Sequence, residues 1–337
     1  MDKVITKLKL LLYLHFSTNS YIISSLGGNM LRLVVVNPVC GNAKGERYLK
    51  GIKKVFENIK KDGLIPNDEV VFELTKCVGD ATVIVKEYIK KYAKEEIVVY
   101  VVGGDGTLGE VATACINVPN ISIVAIPKGT GNDFSRMLNE YTGMRKIIRR
   151  SLVNEPEMVD SILLNKDKIC INVLNTGLDA AIADNMNLFR KWRFLSGSMK
   201  YKLAIVYTLF RAKQYRLKIR VDDKVFKGKF TLAAIGNSKY YGGGIKILPN
   251  ADMSNGILEV CLIDATTMLQ KLNFLPKLMK GKHEGLPVVH MLEGKEISIV
   301  SYKKIPVSID GEIIHTNRFK AKILEKSIKI IKTLDKQ

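Results

Sequence analysis

The sequence is poor in what most metal and disulfide chemistry needs. Its five cysteines, Cys40, Cys77, Cys115, Cys170 and Cys261, stand far apart, and no two have the close spacing of a structural zinc site. A reducing compartment is the simplest setting for them. The four histidines, His15, His283, His290 and His315, show no ligand spacing and no neighbouring Ser or Cys motif, so zinc or nucleophilic catalysis has no support. Apolar stretches such as Leu203–Phe210 fall far short of the ~20 residues that cross a bilayer, so any membrane contact is expected to be peripheral. Acidic residues are also in deficit. Lys and Arg number 53 against 33 Asp and Glu, a net charge of +20 that favours polyanions: nucleic acid, anionic lipid headgroups or phosphorylated small molecules. No groove-binding motif or aromatic RNA platform accompanies that charge, which excludes specific nucleic-acid recognition from the expectation. At 337 residues the chain has room for two domains.

Residues 1–29 read as a leader outside the fold. Lysines precede Leu10–Phe16 and then polar residues, without the small-x-small site of a cleaved signal peptide. Translation is expected to start at Met30, directly before the first strand, because Gly27-Gly28-Asn29-Met30 can be encoded as a purine-rich ribosome-binding sequence. From Leu31 to about residue 155 strands and amphipathic helices alternate: Leu31–Val36, Glu46–Lys61, Val70–Leu74, Asp80–Tyr92, Ile97–Val102, a helix from Leu108, and Ile121–Ile126. Such alternation implies an α/β domain on a parallel sheet. Beyond it the texture is of strands (Lys168–Asn175, Tyr215–Val221, Phe230–Ile235, Ile257–Ile263) separated by turns at Asp222-Asp223 and Asn255-Gly256. Two helices, Ser198–Ala212 and Thr267–Lys280, interrupt them.

Three glycine loops follow strands of the first half: Asn37-Pro38-Val39-Cys40-Gly41, Gly103-Gly104-Asp105-Gly106-Thr107-Leu108-Gly109, and Lys128-Gly129-Thr130-Gly131-Asn132-Asp133-Phe134. Glycines let backbone approach phosphates, and a helix start supplies free N–H donors at a positive dipole end. Loops at three strand ends meet at one edge of a parallel sheet, where open α/β folds bind ligands. Gly104, Gly106 and Gly109 also fit the dinucleotide spacing G-x-G-x-x-G, but the next strand ends in Pro127-Lys128 without the acid that would hold a ribose. An NAD(P)-binding enzyme therefore stands as the alternative.

With Asn37-Pro38, Gly103-Gly104-Asp105-Gly106-Thr107, Pro127-Lys128-Gly129-Thr130-Gly131-Asn132-Asp133-Phe134, Leu248-Pro249-Asn250-Ala251 and Asp310-Gly311-Glu312, the chain resembles the diacylglycerol kinase catalytic family of bacterial type, whose relatives include sphingosine and ceramide kinases. The resemblance implies an N-terminal parallel α/β nucleotide domain (30–155, with 319–337 returning to it) and a mostly antiparallel β-sandwich that holds the lipid (156–318). It implies ATP in the cleft, held by residues 37–41, Thr75, residues 103–109, Thr130, Asn132 and Asp133. It implies Glu312 as the base toward the lipid hydroxyl, with Asp310 and Asp105 in the network that places Mg2+. The implied acceptor is diacylglycerol, with other lipid alcohols such as a sphingoid base or phosphatidylglycerol as alternatives. The implied setting is the cytoplasm, at the anionic inner membrane face, with a homodimer as the assembly considered. Two positions depart from the family pattern. Gly109 stands where Asn is usual. The structural magnesium loop, usually Asp-Gly, reads Ser254-Asn255-Gly256, so its ligands would be Asp252, Asn255 and Ile257.

Overall fold

The computed structural model describes residues 30–43, 45–139, 143–178, 180–182, 185, 207–208 and 214–334. The leader and nearly all of the expected helix over Ser198–Ala212 lie outside the described residues. In the first half, β1 (Leu31–Val36), β2 (Glu69–Leu74), β3 (Ile97–Gly103) and β4 (Ile121–Pro127) pair in parallel in the order β2-β1-β3-β4. Every residue of β1 and β3 is buried, which explains their unbroken apolar runs: strands covered on both faces have no polar side to show. Alternate residues feed two cores. Leu31, Leu33 and Val35 pack on one side with helix α3 (Asp80–Lys91) and α4 (Asp105–Cys115). Val34 and Val36 pack on the other with Ile52, Phe56 and Ile59 of α2 (Gly45–Lys61), which follows the short helix α1 (Cys40–Ala43). The observed bounds lie within a residue of the expected ones, except at the start of α4, which comes three residues before Leu108.

After the short helix α5 (Ser135–Leu138) and α6 (Met144–Ser151), the remaining chain is strand-rich: β5 (Glu157–Leu164), β6 (Lys168–Cys170), β7 (Val173–Gly177), β8 (Tyr215–Val221), β9 (Lys224–Gly236), β10 (Leu258–Asp264), β11 (Val289–Gly294), β12 (Glu296–Ile309) and β13 (Glu312–Ile330). These strands pair antiparallel with one another. The expected strand Lys168–Asn175 is broken in two, because residues 171–173 turn their amides toward Asp310. The helix expected over Thr267–Lys280 is α7 (Met268–Met279). Thr267 caps it in a reciprocal pair with Gln270, and Phe274 and Leu278 sit in the core. The two halves are tied by β13, whose end pairs in parallel with β4 at Ile330↔Ile123. Among the described residues no helix is long and apolar enough to cross a membrane.

Candidate active site

The parallel register brings four strand ends level, with Val36 opposite both Leu74 and Val102, and Gly103 opposite Pro127. The loops that leave them touch directly. Asn37 N–H donates to Val102 O at 3.0 Å and its Nδ2 to Thr107 Oγ1 at 3.0 Å, while its Oδ1 accepts from Val39 N at 3.0 Å. Thr75 N–H donates to Val36 O, and Lys128 N–H to Gly103 O at 2.8 Å. Thus Asn37, Thr75, Gly103 and Thr107 share one edge. Pro38 lies against Gly45, whose added Cβ would clash with it, and Gly41 takes a left-handed φ of 58° beside Tyr48. The Cys40 side chain is buried, with Sγ 3.9 Å from Val102 O, and burial pushes its thiol up, with Lys128 opposing.

Helix α4 begins at this edge, and its N-cap, Gly104, offers no side-chain cap. The N–H groups of Asp105, Gly106 and Thr107 therefore have no helical partner, which is the arrangement that attracts an anion. Leu108 does not belong with them: its N–H is spent on Gly104 O at 3.1 Å and its side chain is in the core. Sequence spacing counted it with the loop, whereas the helix starts three residues earlier than the apolar pattern indicates. Gly109 is already inside the helix, with open space where a Cβ would stand.

The third loop packs back to back on the second. A Cβ on Gly129 would lie 2.5 Å from Gly104 Cα, so neither loop tolerates a side chain at the contact. Asn132, at φ 54°, closes this loop with both ends of its amide: Gly129 N–H donates to Oδ1 at 2.9 Å and Nδ2 donates to Gly129 O at 2.7 Å. Its side chain is thus committed to loop shape, while Thr130 is exposed beside it. Asp105 and Asp133 flank Gly131, whose Cβ position lies 3.0 Å from one carboxylate and 3.4 Å from the other. Asp133 is buried. Its Oδ2 accepts from Gly243 N at 2.8 Å, and Oδ1 has Arg136 Nε at 3.6 Å but no hydrogen bond. Burial chiefly, and then the charge of Asp105, push its carboxyl above the ordinary range, against the pull of the Gly243 amide and Arg136. Gly243 comes from the strand-rich half, so this carboxylate spans the junction. Neither Arg136 nor the Gly242-Gly243-Gly244 run figured in the sequence reading, although three consecutive glycines are a legible loop signal.

At the β12–β13 turn the two expected catalytic acids part company. An extended backbone would put Asp310 and Glu312 on one face, but Asp310 has φ 48° and Gly311 φ 95°, a tight turn that sends them apart. Asp310 accepts from Ile171 N at 2.8 Å, Asn172 N at 3.0 Å, Val173 N at 3.1 Å and Cys170 Sγ at 3.0 Å. Both of its oxygens are occupied, so it has the surroundings of a positioning residue. The Glu312 side chain is exposed, with no hydrogen bond or ion pair among the described residues.

At the expected magnesium loop, polar side chains bond within the loop itself. Asp252 Oδ1 accepts from Ser254 N and Oγ, both at 2.9 Å, and Asn255 Oδ1 accepts from Ile257 N at 3.0 Å. Buried Asp160 anchors this loop, taking Gly256 N on one oxygen and Lys326 N on the other, both at 2.7 Å. A charged residue inside the apolar strand around Val159–Ile162 was the sequence signal for it. Among the described residues no group of three or more His, Cys, Asp or Glu could hold a metal.

Two family models match the chain: the diacylglycerol kinase catalytic domain over residues 32–163, and the YegS C-terminal NAD kinase beta sandwich-like domain over residues 172–332. Among similar proteins, a diacylglycerol kinase of Staphylococcus saprophyticus is 27% identical over 284 residues, covering 83% of this chain and 88% of that protein. A diacylglycerol kinase of Mycobacterium tuberculosis is 30% identical over 226 residues, covering 65% and 72%. The crystal structure of a diacylglycerol kinase from Bacillus anthracis superposes with a TM-score of 0.67 at 21% identity, covering 90% of this chain and 96% of that one, a likeness of fold.

Proposed function

Because the chain belongs to the diacylglycerol kinase catalytic family, we propose that it is a lipid kinase that transfers the γ-phosphate of ATP to the hydroxyl of diacylglycerol, giving phosphatidic acid. The observation that carries the reading is the uncapped start of α4, with three unpartnered amides between two glycine loops and two carboxylates. Phosphoryl transfer asks for little covalent chemistry from the protein and much positioning of charge. Asn37, Gly103, Gly104, Gly106 and Thr107 are suited to cradle the phosphates, with Thr75 and residues 38–41 at the nucleotide's flank. In this division residues 30–155 form the nucleotide domain, to which 319–337 return. Residues 156–318 form the β-sandwich that presents the lipid, and the Ile330↔Ile123 pairing supports the return.

Asp105 and Asp133 fit a magnesium ion that accompanies ATP. Mg2+ is commonly bound by one or two carboxylates plus substrate phosphates, and Asp133 Oδ1 is buried without a hydrogen bond beside a second acid. When bound, the ion supplies charge neutralisation on the phosphates. The acceptor hydroxyl attacks the γ-phosphorus, its proton passes to Glu312, and ADP leaves; an exposed carboxylate at a turn tip is free to meet a lipid headgroup. Asp310 holds residues 170–173 and thereby the turn that carries Glu312. The lipid substrate places the protein at the cytoplasmic membrane face. Purified protein given labelled ATP, magnesium and micellar diacylglycerol is expected to yield labelled phosphatidic acid. Label appearing only on a sphingoid base or on phosphatidylglycerol would move the acceptor, and no lipid product at all would refute the reading.

A further inference from the structure

The outer face of the strand-rich half carries a charge pattern that the catalytic reading leaves unused. Strands β9, β8, β12 and β13 lie side by side, and the inward residues Leu217, Ile219 and Val221 of β8 sit in the core. The register then fixes what the other face shows. One row across the four strands reads Lys227, Lys218, Val300, Arg318, and the next reads Val225, Arg220, Ser298, Lys320. Arg216 opposite Lys229, and Lys322 opposite Glu296, extend it. All eight of these Lys and Arg residues are exposed. Glu296, the acid in these rows, is already paired with Lys320 at 2.7 Å.

Neighbouring strands run about 4.8 Å apart, and like charges directly opposite destabilise a sheet. The pairs Lys218↔Lys227 and Arg216↔Lys229 are therefore a cost to folding that a binding role would offset. Two further features mark the same face. Pairing of β12 with β13 jumps from Val300↔Arg318 to Ile305↔Thr316, so residues 301–304 bulge opposite Asn317. The bulge projects Tyr302, 92% exposed, with exposed Lys303 and Lys304 beside it. At its base Val300, 47% exposed, lines a shallow groove of ≈ 450 Å³ with Asn165, Ser298, Thr316, Arg318 and Lys320.

We propose that this four-stranded cationic face, with Tyr302 as its projecting anchor, docks on an anionic lipid bilayer. Lysine and arginine near such a surface draw on its negative potential, and tyrosine prefers the headgroup level, so one patch supplies both kinds of contact. A second copy of the chain would bring the same sign of charge to the face and be repelled. The inference rests on the lipid-kinase reading only for why a bilayer would be met; the surface itself stands on register and exposure.

The test uses the whole chain and vesicles of phosphatidylcholine, with or without one third phosphatidylglycerol. Each cation at an anionic surface contributes about a fivefold gain in binding. The quadruple variant Arg216→Gln, Lys218→Gln, Lys227→Gln, Lys229→Gln is therefore expected to bind anionic vesicles at least about a hundredfold more weakly, while its melting temperature holds or rises. Tyr302→Ser is expected to weaken binding several-fold. Both variants keep wild-type turnover of diacylglycerol in detergent micelles, and in vesicles their turnover falls in step with their binding. Vesicle binding unchanged in the quadruple variant, or tighter face-dependent binding of wild type to duplex DNA or RNA at the same salt, would overturn the proposal. A face-dependent dimer in sedimentation equilibrium would overturn it too. Should wild type phosphorylate no lipid yet bind vesicles through this face, the docking surface stands and the kinase reading falls.

Discussion

Replacing Asp310 and Glu312 by their amides separates two roles that a three-residue motif makes look alike. Asp310→Asn keeps the backbone, since Asn tolerates the left-handed φ of 48° that Ala would not. It keeps one oxygen for three of the donors but turns an NH2 group toward the remaining one. If that donor is the Ile171 N–H, 2.8 Å from Oδ2, a charge-assisted bond is lost and two donors face each other. A lost bond to a charged group costs about 1.5–3 kcal/mol and a buried unpaired donor about 1–3 kcal/mol. Part of this is offset, because burial pushes the Asp310 carboxyl up and a neutral amide escapes that desolvation. A net loss of about 2–3 kcal/mol is expected, roughly 4–12 °C in melting temperature by the scaling for larger domains. Glu312→Gln touches an exposed side chain without partners, so its stability should stay within about 0.5 kcal/mol of wild type. Its turnover should fall about 10²–10⁴-fold, as for loss of a general base. Scanning calorimetry and steady-state kinetics on both proteins decide the matter. An Asp310→Asn protein that melts with wild type, or a Glu312→Gln protein that turns over normally, refutes the assignment of positioning to one and proton removal to the other.

Three further outcomes follow from the same geometry. Gly129→Ala should weaken both stability and ATP binding, because its Cβ meets the Gly104 backbone at 2.5 Å, whereas Gly106→Val enters open space and should spare the melting temperature while weakening ATP at least about tenfold by titration calorimetry; equal behaviour of the two would misplace the phosphate. Chelation with EDTA should abolish phosphoryl transfer yet leave the melting temperature of the nucleotide-free protein unchanged, since loop 252–257 is closed by its own hydrogen bonds; a drop on chelation would restore a structural metal there. Buried Glu259, which accepts Asn250 N–H at 3.1 Å, is raised by desolvation from 4.5 to about 7. The folded state thus holds this proton more tightly than the unfolded chain, and stability falls as pH rises from 4.5 to about 7, by about 3 kcal/mol at most. Glu259→Gln should flatten that fall in pH-dependent melts, and an unchanged slope would show that Glu259 is ionised at no cost.

What could be read in advance was whatever rests on periodicity or on backbone. The fully buried β1 and β3 announced themselves because two covered faces leave only apolar residues, and the glycine loops because no other residue fits Gly104 against Gly129. Side-chain commitments were not readable, for a physical reason. A carboxylate or amide in a motif has several hydrogen-bonding atoms, and where they point depends on partners far away in sequence: Asp310 on residues 170–173, Asp133 on Gly243, Asp160 on Gly256 and Lys326. Asn132, Asp252 and Asn255 instead each spend an oxygen on their own turn, as short polar side chains do when a loop leaves amides free nearby. An acid left with an unspent oxygen is a candidate for chemistry. Asp133 Oδ1 and the carboxylate of Glu312 meet that criterion from opposite halves of the chain, and Asp133 is itself held by a glycine of the other half. A catalytic centre assembled this way depends on the junction staying closed, so Gly243→Ala, which strains the φ of 86° that holds this N–H 2.8 Å from Asp133, should lower turnover in the full-length protein with both halves still folded. Wild-type turnover in that variant would show that the bond across the junction contributes nothing to catalysis.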